Sequence, residues 1–217
     1  MYSTDTLSYY YFLPALPKSC SHLKKLNLTA ENGTYVIDPD GEGDRPPYNV
    51  TCDMTDKNGV GVTVISHDSE DRTLVDGFEG PGSYTRDIQY TKASLSQLAS
   101  LTTVSLFCEQ FIQYECQASL MFRHNVAWWV SRDSTVMSYW GGAPVGSEKC
   151  ACGIDNSCVE PEYHCNCDAN NKEWREDSGL LTDKTHLPVK QLRFGDTGGS
   201  DEKGYHTLGK FKCYGIA

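Results

Sequence analysis

An α+β domain held together by disulfides is what the sequence predicts, and three observations predict it. Short β-prone runs alternate with Gly, Pro and Asp turns, one stretch between residues 94 and 118 carries helical spacing, and ten cysteines punctuate the chain. With 217 residues and 24.2 kDa, the chain is long enough to bury one sizeable core. We divide it into a linker or truncated preceding segment at 1–18, where Pro14 and Pro17 oppose a helix, and a single domain at 19–217.

From the N-terminal side, Tyr35-Val36-Ile37 is β-prone, Asp38-Pro39-Asp40-Gly41 is a turn, and Tyr48 to Met54 resumes a strand, which together make a hairpin with a long loop. Gly61 to Ser66 reads as a buried strand, and Gly77, Gly80, Pro81 and Gly82 then stop any regular element. Ile88 to Thr91 is a short strand candidate. Two apolar sets follow at helical intervals, Leu95, Leu98 and Leu101, then Phe107, Phe111, Ile112 and Cys116, and the second is the better helix. Ala127 to Val130 and Ser138 to Trp140 read as strands ended by Gly141-Gly142. A cysteine-rich loop runs from Cys150 to Cys167, and Leu187 to Phe194 and Gly209 to Tyr214 close the chain as strands around the Gly195 to Gly199 loop. No 20–50-residue repeat occurs, which argues against a solenoid.

Composition excludes several functions. The chain has 19 Lys+Arg against 29 Asp+Glu, for a net charge of −10, so it repels phosphate backbones and no basic patch offsets this; no nucleic-acid partner is expected. Small cations and basic protein surfaces suit it better. No apolar run reaches the ~18 residues a membrane span needs, so this piece does not insert into a bilayer. Met1 to Pro17 lacks the basic n-region of a signal peptide, and the expectation is a fragment whose missing parts carry the address and any anchor.

The even cysteine count points to an oxidising compartment: Cys20, Cys52, Cys108, Cys116, Cys150, Cys152, Cys158, Cys165, Cys167 and Cys213 are all expected in disulfides. Zinc is the alternative for Cys150-x-Cys152, Cys158 and Cys165-x-Cys167 beside His164, but zinc sites favour two or more residues between paired cysteines. Sequons at Asn27, Asn32 and Asn49 mark N-glycosylation acceptors and agree with secretion.

Asp38, Asp40, Glu42 and Asp44 place hard oxygens at alternate positions, with Gly41 and Gly43 permitting a sharp turn. Asp38, Asp40 and Asp44 are therefore the candidate calcium ligands, and calcium is the cofactor the sequence allows. As an EF-hand the loop fails, because Asn49 stands where the bidentate Glu belongs. Catalysis finds no support. The sequence has no G-x-S-x-G elbow, Walker loop, H-E-x-x-H or G-x-G-x-x-G motif, His67, His124, His164 and His186 are scattered, and paired cysteines leave no thiol nucleophile. Among Trp128, Trp129, Trp140 and Trp174, strand alternation requires one of the adjacent Trp128 and Trp129 to face away from the core, and Trp128 is the candidate contact residue.

Cys20, then Thr34 to Gly41, then Val50-Thr51-Cys52-Asp53-Met54 resembles the opening of a fibrinogen-like C-terminal domain. Cys108-Glu109-Gln110 with Tyr114 and Cys116, Trp128-Trp129-Val130, Tyr139-Trp140-Gly141-Gly142, Lys149 to Gly153, Tyr163 to Ala169, Trp174-Arg175, His186 to Val189 and Gly195-Asp196-Thr197 are similar to the fibrinogen-like region of contactin-associated proteins. The resemblance covers about residues 19 to 214. It implies twisted antiparallel sheets with one main helix, and a non-catalytic recognition or adhesion module in the ectodomain of a single-pass membrane protein of the neurexin superfamily. It also implies an extracellular protein partner of the immunoglobulin type.

The likeness implies a Cys20–Cys52 disulfide. A more distant likeness to fibrillar collagen C-propeptides implies a Cys116–Cys213 pair and a calcium-binding loop at Asp38 and Asp40, although this chain has no cysteine in that loop and Pro46-Pro47 disturb its later ligand. If the segment holding Cys108 and Cys116 is helical, the two lie ~12 Å apart and cannot pair with each other. Six cysteines then remain, with 15 connectivities, and Cys108 is expected to clasp the Cys150–Cys167 loop onto the helix. The competing readings are a secreted, calcium-using, lectin-like binder and a collagen-propeptide-like assembly module. The acetyl-sugar pocket of fibrinogen-related lectins is not found, since the acidic loop at Asp196, Asp201 and Glu202 lacks the adjacent Cys and Trp.

Overall fold

The computed structural model describes residues 15–217, so most of the segment read as a linker lies outside the described residues. Helices α1 (Cys20–Leu26), α2 (Asp56–Gly59), α3 (Leu95–Val104) and α4 (Ala151–Asp155) are short. The strands are β1 (Gly33–Ile37), β2 (Tyr48–Asp53), β3 (Val62–Ile65), β4 (Thr73–Val75), β5 (Tyr84–Asp87), β6 (Phe107–Gln117), β7 (Trp128–Val130), β8 (Val136–Met137), β9 (Arg175–Leu181), β10 (Gln191–Phe194), β11 (Lys203–Leu208) and β12 (Phe211–Tyr214). The domain is β-rich and its pairings are antiparallel. One sheet of eight strands runs β1-β2-β3-β12-β6-β11-β4 with β9 also on β6, and a sheet of four runs β5-β10-β7-β8.

The long strand β6 organises everything. Its inward row is Cys108, Gln110, Ile112, Tyr114 and Cys116, all buried, a period of two. β11 and β12 follow one another along one side of it, from Lys203 opposite Gln117 to Tyr214 opposite Phe107, with Gly209 and Lys210 unpaired in register between them. β9 takes the other side, from Gln110 opposite Leu181 to Cys116 opposite Arg175.

This corrects the expectation of a main helix here. The helical reading counted Phe111 as core, whereas its ring is only half-buried, and it passed over Gln110, whose polar side chain sits at zero exposure. Gln110 tolerates burial because its amide accepts from Val189 N at 3.0 Å and donates to Gly209 O at 3.1 Å and to the Tyr90 hydroxyl at 3.0 Å. The first apolar set is the helix instead. Ser94 caps α3, accepting from Gln97 N at 3.3 Å while the Gln97 side chain accepts from Ser94 N at 2.8 Å, and Leu98 and Leu101 are fully buried.

Register also rewrites the disulfides. β6 and β12 place Cys108 directly opposite Cys213, Cα–Cα 4.1 Å, and these two are bonded. Eight strand residues carry Cys116 ~26 Å further along, so it cannot reach Cys213. Cys116 is bonded to Cys167 and does the clasping expected of Cys108. Cys20–Cys52 ties α1 to β2, and Cys150–Cys165 and Cys152–Cys158 close the cysteine-rich segment on itself. No described cysteine is free.

The β1–β2 hairpin and β3 stand where expected, as do β7 and the β12 end of the chain. The expected strand at Ser138 to Trp140 is displaced to β8, and that at Ile88 to Thr91 to β5 with an isolated bridge between His67 and Tyr90. The early part of Leu187 to Phe194 is extended chain leading into β10. Beyond the expectations lie α1, β4, β9 and β11: α1 and β4 are too short to show a period, and β9 and β11 are too polar and interrupted by glycine.

The two sheets meet face to face through aromatic rings. Phe194 of β10 stacks on Tyr114 of β6 at 4.3 Å between centroids and on His206 of β11 at 5.7 Å. Trp129 and Trp140 fill the space around them, each donating its indole N–H to a carbonyl, Tyr139 O at 2.8 Å and Asp177 O at 2.9 Å. Gly204 is what admits Tyr114: a Cβ there would lie 2.3 Å from the Tyr114 hydroxyl.

Candidate interaction surface

Strand alternation that turns Tyr114, His206 and Leu208 inward turns the other residues of β4, β11, β6 and β9 to solvent on one open face. Across it run Leu74, Tyr205, Glu115 and Glu176 in register, with Phe111 opposite Leu180 further along. Trp174, just before β9, sets its ring 5.6 Å from that of Tyr205. The Arg72 guanidinium lies 3.3 Å over the Tyr205 ring and donates to both Glu115 oxygens, at 2.6 and 3.1 Å. Tyr205 thus meets both a braced cation and a second ring. Trp174 is 46% exposed and Leu74 47%, large values for side chains of this kind.

Of the four tryptophans, Trp129 and Trp140 are core, and Trp174 is the exposed one. Trp128 does point away from Trp129, but it is half-buried with its ring against Gly82, where a Cβ would lie 2.1 Å from the indole. Trp174 is isolated in a polar stretch, Lys172-Glu173-Trp174-Arg175, and that polarity is the signal that marks it as a surface aromatic.

Behind the open face, two buried carboxylates anchor the cysteine-rich segment. Asp177 of β9 accepts from Asn166 N at 3.0 Å and Cys167 N at 2.9 Å, and burial pushes its carboxyl up to about 6. Asp168 accepts from Met121 N at 3.0 Å and Arg123 N at 3.1 Å, and burial raises it as well. Asp177 lies with the sulfurs of Cys150 and Cys165 in the one His/Cys/Asp/Glu cluster tight enough for an ion among the described residues. Those sulfurs are bonded to each other, so no thiolate remains to bind metal.

The acidic loop is differently placed. The Asp40 carboxylate accepts from Arg45 N at 3.2 Å and pairs with the Arg45 guanidinium at 3.5 Å, Asp44 is exposed, and one oxygen of Asp38 is buried without a partner. Asp38, Asp40 and Asp44 do not converge within 4.8 Å of one another. Asp196, in the other acidic loop, accepts from Leu120 N at 2.8 Å and acts as a backbone tie.

All three sequon asparagines are exposed. Asn27 Oδ1 accepts from Thr29 N at 3.1 Å and Asn32 Oδ1 from Met54 N at 2.6 Å, which leaves the amide nitrogen of each without a partner among the described residues. Five disulfides and three accessible acceptors place the domain in the extracellular, oxidising compartment. No helix among the described residues is long and apolar enough to cross a membrane.

No protein-family model matches the chain. Among curated proteins it is 40% identical over 209 residues to neurexin-4 of Drosophila melanogaster, covering 92% of this chain and 16% of that protein. It is 39% identical over 188 residues to contactin-associated protein 1 of Mus musculus, covering 85% of this chain and 13% of the relative, and 37% identical over 206 residues to the Homo sapiens protein, covering 93% and 15%. The chain therefore spans about one-sixth or less of the relatives it matches. At this identity over nearly all of its own length, it is homologous to one stretch of neurexin-4 and contactin-associated protein 1.

Proposed function

We propose that the chain is a non-catalytic recognition module, of fibrinogen-like type, in the ectodomain of a contactin-associated cell-surface adhesion receptor anchored by a single membrane span outside this segment. The observation that carries the reading is the open face of β4, β11, β6 and β9, where Trp174, Tyr205 and Arg72 form a braced aromatic cluster flanked by Leu74. Tryptophan, tyrosine and arginine are the residues most enriched at the energetic centres of protein interfaces. Arg72 and Tyr205 are already fixed by Glu115 and Trp174, so little side-chain entropy remains to be lost on docking. The partner favoured by the family likeness is an extracellular protein of the immunoglobulin type.

The test displays immunoglobulin-type adhesion molecules on cells and measures binding of the secreted chain and its variants. Trp174→Ala and Tyr205→Ala are expected to weaken binding ~30-fold or more, the loss of a hot-spot residue, while circular dichroism stays unchanged. If Trp128→Ala abolishes binding and Trp174→Ala does not, the contact surface lies on the smaller sheet and this assignment fails. The lectin-like alternative predicts binding to acetylated sugars that EDTA removes, and the assembly alternative predicts self-association without any partner.

A further inference from the structure

The outermost strand of the eight-stranded sheet, β1, has the sequence Gly33-Thr34-Tyr35-Val36-Ile37 and pairs on one side only, with β2. Its outer row of backbone N–H and C=O groups finds no backbone partner among the described residues. The other edges of the eight-stranded sheet are short or covered. β4 is only three residues long, and the outer side of β9 is covered where Gly142 N donates to Leu180 O at 2.9 Å, Trp140 Nε1 to Asp177 O at 2.9 Å and Asn166 Nδ2 to Glu176 O at 3.1 Å. An open edge of β-branched and aromatic residues is a template for pairing with another chain, and proteins blunt such edges with lysine, proline, bulges or a covering element. β1 contains no lysine, proline or bulge, and among the described residues only Pro17, whose carbonyl accepts from Asp38 N at 2.9 Å, reaches its end.

What it has is carbohydrate acceptors. The hairpin register sets Thr34 opposite Thr51 and Val36 opposite Asn49, and all four are on the exposed side by alternation. Thr34 and Thr51 are the hydroxyl positions of the Asn32 and Asn49 sequons, so the solvent face of this hairpin consists of sequon residues and one valine, Val36, 41% exposed. Asn32 stands immediately before the first residue of β1.

We propose that N-linked glycans on Asn32 and Asn49 guard the β1 edge against pairing with the β1 strand of a second copy of this chain. If two copies paired antiparallel through β1, the order β2-β1-β1-β2 at ~4.8 Å per strand would put the two Asn49 residues ~15 Å apart on one face, with Asn32 at the ends of the same junction. Bulky, hydrated sugars on that face oppose the approach. Without them, Val36 and the unpaired edge are free to add a strand. The inference stands apart from the recognition face, which lies at the other end of the sheet.

The experiment uses the chain secreted from eukaryotic cells, with glycan occupancy at each sequon read by peptide mass spectrometry and oligomeric state by light scattering over a concentration series. The glycosylated chain is expected to remain monomeric. Asn32→Gln with Asn49→Gln is expected to give a concentration-dependent species of about twice the mass, Asn27→Gln alone to stay monomeric, and Val36→Lys added to the double variant to restore the monomer. Endoglycosidase trimming of the folded, glycosylated chain makes the same comparison if the double variant is not secreted. A double variant or trimmed chain that stays monomeric at every concentration overturns the proposal, as does absence of sugar from both Asn32 and Asn49.

Discussion

The two ends of the large sheet are built by different means. At the β1–β2 end, the strands are joined by a loop of ten residues, the register follows from the hairpin itself, and one bridge, Cys20–Cys52, ties in α1. At the β6 end, strands distant in sequence converge: β9 and β11 flank β6, Cys116–Cys167 and the buried Asp177 pin the cysteine-rich segment against it, and Gly204 makes room for Tyr114. The difference teaches that stability at the first end is local and at the second depends on contacts that exist only in the completed fold.

The largest effect that tests this contrast is loss of a bridge. Chain entropy alone makes the two removals nearly equal, since sequence separations of 51 for Cys116–Cys167 and 32 for Cys20–Cys52 differ by only ~0.4 kcal/mol in a total of about 4. The contrast predicts more. Cys116→Ala with Cys167→Ala releases the segment whose amides satisfy the buried Asp177, and is expected to lower the midpoint of chemical denaturation well beyond Cys20→Ala with Cys52→Ala. Equal midpoints for the two double variants, measured in the same denaturant, would remove the distinction between the ends.

A smaller effect comes from one substitution made at both ends. A Cβ on Gly204 would meet the Tyr114 ring and hydroxyl at 2.3–2.5 Å, all inside the core, whereas at Gly33 the nearest atoms belong to Tyr35 at 3.5 Å, ordinary contact. Gly204→Val is expected to cost about 1–3 kcal/mol or more by overpacking, and Gly33→Val to be neutral within about 0.5, as valine also suits a strand. Thermal denaturation of the pair measures the difference, and a tolerated Gly204→Val would mean that Tyr114 has another place to go.

The same division governs what was legible in the sequence. The β1–β2 hairpin, β3, β7 and the Leu95 to Leu101 helix follow from signals contained within a dozen residues, and the Cys20–Cys52 bridge from its likeness to a known opening. At the β6 end the signals mislead, because Gln110 is a buried amide whose partners, Val189, Gly209 and Tyr90, come from three other places in the chain. With that position polar and Phe111 half-exposed, the period of two is masked by an accidental period near four. The Cys116–Cys213 pairing, implied by the likeness to collagen C-propeptides, gives way because β6 is a strand that sets Cys108 opposite Cys213 and carries Cys116 ~26 Å further along. Trp128 is recognisable as outward-facing from its place beside Trp129, but that Gly82 lies against its ring is not, and on the interaction surface the meeting of Tyr205 with Arg72 and with Trp174 depends on pairings between β4, β11, β6 and β9 that no local pattern announces.

The finest test lies in pH, because the β6 end buries titrating groups of opposite sign. His206, fully buried, has its Nε2 2.8 Å from the Tyr84 hydroxyl, and burial pushes its pKa from the ordinary 6.5 down to about 4. Between those values the unfolded chain binds a proton that the folded one refuses, so this contribution is present above pH 6.5 and is lost as pH falls toward 4. Asp177 works the other way. Its carboxyl is raised from 3.8 to about 6, so between those values the folded state holds the extra proton and stability increases as pH falls from 6 toward 3.8. Each effect is on the order of 3 kcal/mol, and they oppose over nearly the same window. His67, lowered by burial, adds to the His206 side, and Asp168, raised by burial, to the Asp177 side. The parent domain is therefore expected to change little in stability between pH 6.5 and 4.5 on account of these groups, while single variants expose the two halves of the balance. His206→Gln should become more stable relative to the parent as the solution is acidified, and Asp177→Asn less stable. Denaturation midpoints taken at half-unit intervals across that range read the slopes independently of what either substitution costs at pH 7. Parallel curves for the three proteins would show that the core around Phe194 and the anchor of the cysteine-rich segment titrate as they do in water, and that the completed fold does not seal this end of the sheet.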